Sequence, residues 1–162
     1  MKINSKFLAL VILTCAFIVM QGCSFSTANM SSLKTSTDKE GKTETSSFKS
    51  GDTLFGRAQI SNNPGKVKVK FTLVAEDVKG LNKGETLKGS EVSVDIQGDG
   101  VANYNVPVSP GFLAGTYKLN ADMLNDAGEK KDGKSANVTV TQTAAAPVEK
   151  KDDDASDDKD DK

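Results

Sequence analysis

Between residues 66 and 76 the chain reads KVKVKFTLVAE. Val67, Val69, Phe71, Leu73 and Ala75 alternate with Lys66, Lys68, Lys70, Thr72, Val74 and Glu76. A helix would scatter those apolar side chains around its axis, whereas a strand sends every second side chain to one face. The stretch therefore predicts a half-buried strand. The same period returns in SEVSVDIQ with Val92, Val94 and Ile96 inward. It returns again in GTYKLNADMLN with Tyr117, Leu119, Ala121 and Met123, and in SANVTVT with Ala136, Val138 and Val140. Weaker versions are DTLFGRAQI (Leu54, Ala58, Ile60) and VANYNVPV (Ala102, Tyr104, Val106).

Turn residues separate these runs: Asn62-Asn63-Pro64-Gly65, Asn82-Lys83-Gly84, Gly98-Asp99-Gly100, Pro110-Gly111, and Asp126-Ala127-Gly128 with Asp132-Gly133. Each cluster supplies a residue that tolerates positive φ or one whose φ is preset. Short alternating strands, turn clusters and no convincing helical stretch predict an all-β chain with one antiparallel β-sandwich of six to seven strands over residues 48–142. Pro107 cannot donate to a ladder, so its strand should end there or lie at an edge.

Gly115-Thr116-Tyr117-Lys118-Leu119, a polar turn and then Val138-Thr139-Val140 resemble the last two strands of bacterial immunoglobulin-like domains. The resemblance implies an immunoglobulin-like sandwich. It makes Tyr117 a core aromatic whose hydroxyl bonds nearby backbone, as in a tyrosine corner. The Cys-Trp-Cys core of antibody domains is absent, because the sequence contains no Trp.

The chain opens with Lys2 and Lys6 followed by an apolar run from Phe7 to Met20. That run is about 21 Å long as a helix, short for a hydrocarbon core of ~30 Å. Positive charge followed by a short apolar run is the order of a secretory signal peptide. The run ends in Met20-Gln21-Gly22-Cys23, which resembles the bacterial lipobox. The resemblance implies cleavage after residue 22 and a diacylglyceryl group on Cys23, so residues 1–22 are expected to be a removed signal. Two or three acyl chains hold a protein stably on a membrane, where one binds marginally. Ser24 after the cysteine implies the outer membrane if the host is Gram-negative. Residues 23–47, rich in Ser, Thr and Lys, are expected to form a flexible tether lifting the domain off the surface.

The formal net charge of −1 is unevenly placed. Residues 149–162 carry eight acids and four lysines, while residues 23–148 carry fifteen basic and fourteen acidic groups. No global basic field points to nucleic acid. Residues 143–162 are expected to be a disordered, solvated acidic tail.

Catalysis finds little support. The sequence has no His, so His-dependent triads and His-bearing zinc sites are excluded. Cys23, the one cysteine left after cleavage, is expected to carry lipid. The carboxylates Glu76, Asp77, Glu85, Glu91, Asp95 and Asp99 fall on outward strand positions or in turns. Asn125, Asp126, Glu129 and Asp132 lack the alternating acid spacing of a calcium loop and stand among Lys130, Lys131 and Lys134. No glycine-rich phosphate loop is present. A non-enzyme without cofactor or metal is expected.

Two function classes remain: a lipid-anchored envelope protein presenting its sandwich for binding or scaffolding, and a purely structural envelope lipoprotein without a specific ligand. The membrane, through Cys23, is the expected partner. An envelope protein or polymer is a second, unidentified one. Lys66, Lys68 and Lys70 are the candidate contact residues, a stripe suited to an anionic partner. The rival reading pairs them with Glu91 and Asp95 on a neighbouring strand.

Overall fold

A computed structural model describes residues 28–142. The expected signal segment, Cys23 and the acidic residues 143–162 therefore lie outside the described residues. Eight strands form two sheets: β1 (Asn29–Ser36), β2 (Ser47–Lys49), β3 (Thr53–Ser61), β4 (Lys66–Val78), β5 (Val92–Gln97), β6 (Gly100–Pro107), β7 (Gly115–Leu124) and β8 (Lys130–Thr141). One sheet has the order β1-β3-β6, the other β2-β8-β7-β4-β5. Neighbours run antiparallel except β2, which joins β8 in parallel.

Burial alternates strictly along β3, along β4 from Lys66 to Glu76 and along β7 from Thr116 to Leu124. Their inner side chains meet those of Ala102 and Tyr104 on β6 and of Val138 and Val140 on β8 in one core. Val92, Val94 and Ile96 are only half-buried, because β5 is the edge of its sheet. Pro107 closes β6, an edge strand of the other sheet, where its missing N–H costs no ladder bond.

The connectivity identifies the sandwich. The strand pair β3-β6 in one sheet, with β8-β7-β4-β5 neighbours in the other, reproduces the B–E and G–F–C–C′ pairings of the immunoglobulin fold. Tyr117, near the start of β7, donates its hydroxyl to the Leu113 carbonyl oxygen four residues upstream, at 2.8 Å. That is the tyrosine-corner bond. The protein is an immunoglobulin-like all-β sandwich.

Residues 29–47 depart from the expected tether. Strand β1 pairs with β3 from Asn29↔Ser61 to Ser36↔Phe55, and β2 begins at Ser47. The alternation was hidden because Met30 and Leu33, the apolar side chains of β1, stand three residues apart. A bulge between Met30 and Ser32 absorbs the extra residue and pairs them with Ile60 and Ala58, both inward positions of β3. Asp132 and Gly133, expected in a turn, lie within β8 instead. The hairpin is confined to residues 125–129, where Asn125 N–H donates to the Glu129 carbonyl at 3.0 Å.

The strand directions define two ends. Asn29, the turn at 62–65, residues 98–99 and the hairpin at 125–129 share one end. The ends of β4, β6 and β8, with the loops at 79–91 and 108–114, share the other. The thirteen residues of β4 separate them by about 43 Å.

Candidate functional site

The lysine stripe lies on the outer face of the five-stranded sheet. The register sets Lys66 opposite Gln97, Lys68 opposite Asp95 and Lys70 opposite Ser93. Two of the three lysines reach acids across that register: Lys66 Nζ lies 3.3 Å from Asp95, and Lys70 Nζ 3.2 Å from Glu91. These pairs are about half exposed, so each contributes little to stability. They do consume the charge that an anionic partner would need. Lys68 alone of the three has no ion pair among the described residues.

Of the carboxylates singled out for chemistry, Glu76, Glu85, Glu91, Asp95 and Asp99 are likewise engaged. Glu76 lies between Lys118 and Lys83, and the Lys118 ammonium, foremost, holds its carboxyl below the usual range. Glu85 accepts from the Asn82 N–H at 3.0 Å, and Asp99 from the Asn63 N–H at 2.8 Å. In the hairpin, Glu129 N–H donates to Asn125 Oδ1 and Asn125 Nδ2 donates to Glu129 Oε2. Those bonds close the turn. Among the described residues no group of three or more Asp, Glu or Cys side chains is placed to hold a metal ion.

Tyr104 is the one buried side chain whose polar atom has no hydrogen-bond partner among the described residues. Its ring packs 5.3 Å from Phe71, and burial pushes its pKa up to about 12. The Ser90 hydroxyl opposes that shift. It donates to the Leu87 carbonyl at 2.7 Å and accepts from Leu73 N–H at 3.2 Å. The phenol stands in the core without a bond of normal geometry among the described residues.

One apolar surface concavity was not legible as a motif. A cavity of about 350 Å³ opens at the end of the sandwich carrying the 79–91 and 108–114 loops. Leu81, Leu87, Val106, Phe112 and Leu113 line it, and Lys88 is its one charged lining residue. Phe112 packs edge-on against Tyr117 at 5.2 Å, so the tyrosine-corner bond and this contact together hold the 108–114 loop in place. Leu113 is the large apolar side chain left exposed among the described residues, at 43 %. Apart from Val106 on β6, which the strand pattern marked, its apolar neighbours come from loops, where apolar residues follow no period.

No family model matches the sequence, and no curated protein matches it. Solved structures do. An immunoglobulin-like protein from Pseudomonas aeruginosa is 11 % identical, with 73 % of this chain and 99 % of that chain covered, at a TM-score of 0.43. A Niemann-Pick type C2 protein from the Japanese carpenter ant is 19 % identical, with 74 % and 96 % covered, at 0.42. The CARDB domain of a Pyrococcus furiosus protein, in complex with di-metal ions, is 15 % identical, with 70 % and 85 % covered, at 0.38. At these scores the likenesses carry no functional argument. The fold assignment rests on strand order and the Tyr117 bond.

Proposed function

We propose that this chain is a lipid-anchored lipoprotein of the bacterial cell envelope, held through Cys23, that presents a non-catalytic immunoglobulin-like sandwich for binding or scaffolding. What supports the reading is the lipobox-like Met20-Gln21-Gly22-Cys23 together with the position of Ala28. It lies five residues after Cys23 and leads directly into β1. Four intervening residues span at most about 14 Å. Lipid on Cys23 would therefore hold the Asn29 end of the sandwich close to the bilayer and turn the apolar cavity about 43 Å outward. Such a polarity suits a domain whose far loops meet a partner.

The engagement of Lys66, Lys70 and the candidate carboxylates favours presentation over chemistry at the sheet face. Serine at position 24 directs the protein to the outer membrane in a Gram-negative host. Cys23→Ala should leave an unprocessed precursor that no longer incorporates labelled fatty acid. Normal labelling of that variant would defeat the anchor.

A further inference from the structure

We propose that residues 79–91 act as a strap that lifts off β4 as one unit, and that the buried Tyr104 hydroxyl favours the lifted state. The proposal does not depend on lipidation of Cys23.

The argument begins at the edge of β4. Strand β5 pairs with that edge from Lys66↔Gln97 to Phe71↔Val92. Beyond Phe71 the edge is covered by the connection between β4 and β5, which is the strap. Ala75 N–H donates to the Glu85 carbonyl at 2.8 Å, Gly84 N–H to the Ala75 carbonyl at 2.7 Å and Leu87 N–H to the Leu73 carbonyl at 2.8 Å. Leu73 N–H donates to a side chain instead, Ser90 Oγ, at 3.2 Å. Gly80 and Gly89, at φ 92° and 76°, stand near the two ends of the strap. A Cβ at either would meet nothing within 4 Å, so the backbone conformation and not packing asks for glycine there. Such positions absorb the change of direction when a segment swings.

Little apolar surface holds the strap down. Ser90 is its one buried residue, Leu81 and Leu87 are half-buried, and the rest are exposed. A segment with few buried apolar contacts and solvent-exposed backbone bonds opens locally at a fraction of the cost of global unfolding. Val69 and Phe71, on the same edge of the same strand, are instead held by β5 and are fully buried.

Tyr104 supplies a reason to open. Its hydroxyl is buried without a hydrogen-bond partner among the described residues. Ser90 is the strap residue whose hydroxyl acts on it. Lifting the strap withdraws Ser90 and admits water to the phenol. A buried hydroxyl without a partner costs the closed state free energy that hydration returns. The closed strap therefore carries a penalty that the lifted one does not. The strap works as a gate over the core at the end of the sandwich remote from Asn29.

The test is amide hydrogen exchange of the full chain, read residue by residue by NMR. Gly98 N–H donates to the Gly65 carbonyl, so the alternation of the ladder turns the Val69 and Phe71 N–H groups towards β5. Leu73, Ala75, Gly84 and Leu87 N–H should share one protection factor, at least about tenfold below those of Val69 and Phe71. Tyr104→Phe keeps the ring and removes the hydroxyl. It should raise protection of the strap amides by about three- to tenfold. Unequal protection among the strap amides, or protection equal to that of Val69 and Phe71, would overturn the proposal by showing that no separate unit lifts. Strap protection unchanged or lowered in Tyr104→Phe would overturn it too. A rise confined to Val69 and Phe71 would show that the phenol stays dry when the strap lifts, and would sink the coupling between them.

Discussion

Gly115 sits at φ 148°, and a Cβ there would come within 2.4 Å of the Asp77 carbonyl oxygen and 2.9 Å of Val78 Cα. The clash arises where β4 changes register between Ala75 and Asp77 and bends against β7. Gly115→Ala should cost about 1–3 kcal/mol, read as a lower urea midpoint at unchanged slope. Asp132 makes a second residue-scale case. One carboxylate oxygen accepts from the Met30 N–H at 2.7 Å and the other from its neighbour Gly133. The Met30 N–H foremost holds the carboxyl below its ordinary range, against the opposing cost of burial. With a folded pKa below the unfolded one, the stabilisation is complete above the ordinary Asp value of about 3.9 and is lost as pH falls through the lower folded value. Asp132→Asn should therefore lower stability near neutral pH and flatten its decline below about pH 4, measured by denaturant titration at each pH. An unchanged acid slope would show that Asp132 does not couple β8 to β1. Both residue types stood out in the sequence, one in a Gly-x-Tyr phrase and one in a Lys-rich turn. Their partners, tens of residues away, did not.

At the scale of the element, β1 is the decisive case. It contributes Met30, 2 % exposed, to a core that would otherwise be open on the β3 side. Met30→Ala should cost about 2–5 kcal/mol, seen as a marked loss of melting temperature. A tether would show no change. Strand β1 escaped the reading of the sequence because Ser31 interrupts the period by one residue, and a bulge is visible only as a mismatch between two paired strands. Strands β3, β4 and β7 were legible because their alternation runs uninterrupted for nine or more residues. The lysine stripe of β4 was legible as a face, and the acids opposite it could be named. The register that brings Asp95 to Lys66 and Glu91 to Lys70 was settled by the fold.

For the whole molecule, the sheets join the chain from Asn29 to Thr141 into one cooperative unit. Limited proteolysis should accordingly leave a stable fragment that still contains β1 and ends beyond β8. Early release of residues 28–47 with the remainder intact would contradict that unit. The two ends of the sandwich differ: polar turns surround Asn29, while Leu81, Leu87, Phe112 and Leu113 gather from the loops at the other end. That difference is a property of the assembled loops, since Leu81, Leu87 and Phe112-Leu113 come from separate stretches of the chain.

What the sequence determined by itself was everything written in local order. Period-two alternation settled the all-β class and the inward faces of the long strands, since a strand's pleat sorts neighbouring residues without reference to the rest of the chain. The missing histidine removed whole classes of chemistry for the same reason: composition needs no geometry. Tertiary structure decided whatever depends on distances between remote segments. It brought β1 into the sandwich, laid β2 parallel to β8, paired the lysines with acids and gathered five loop and strand-end side chains around a cavity. Pairing energies across a sheet and the packing of loops at its end exist only once the chain has folded back on itself.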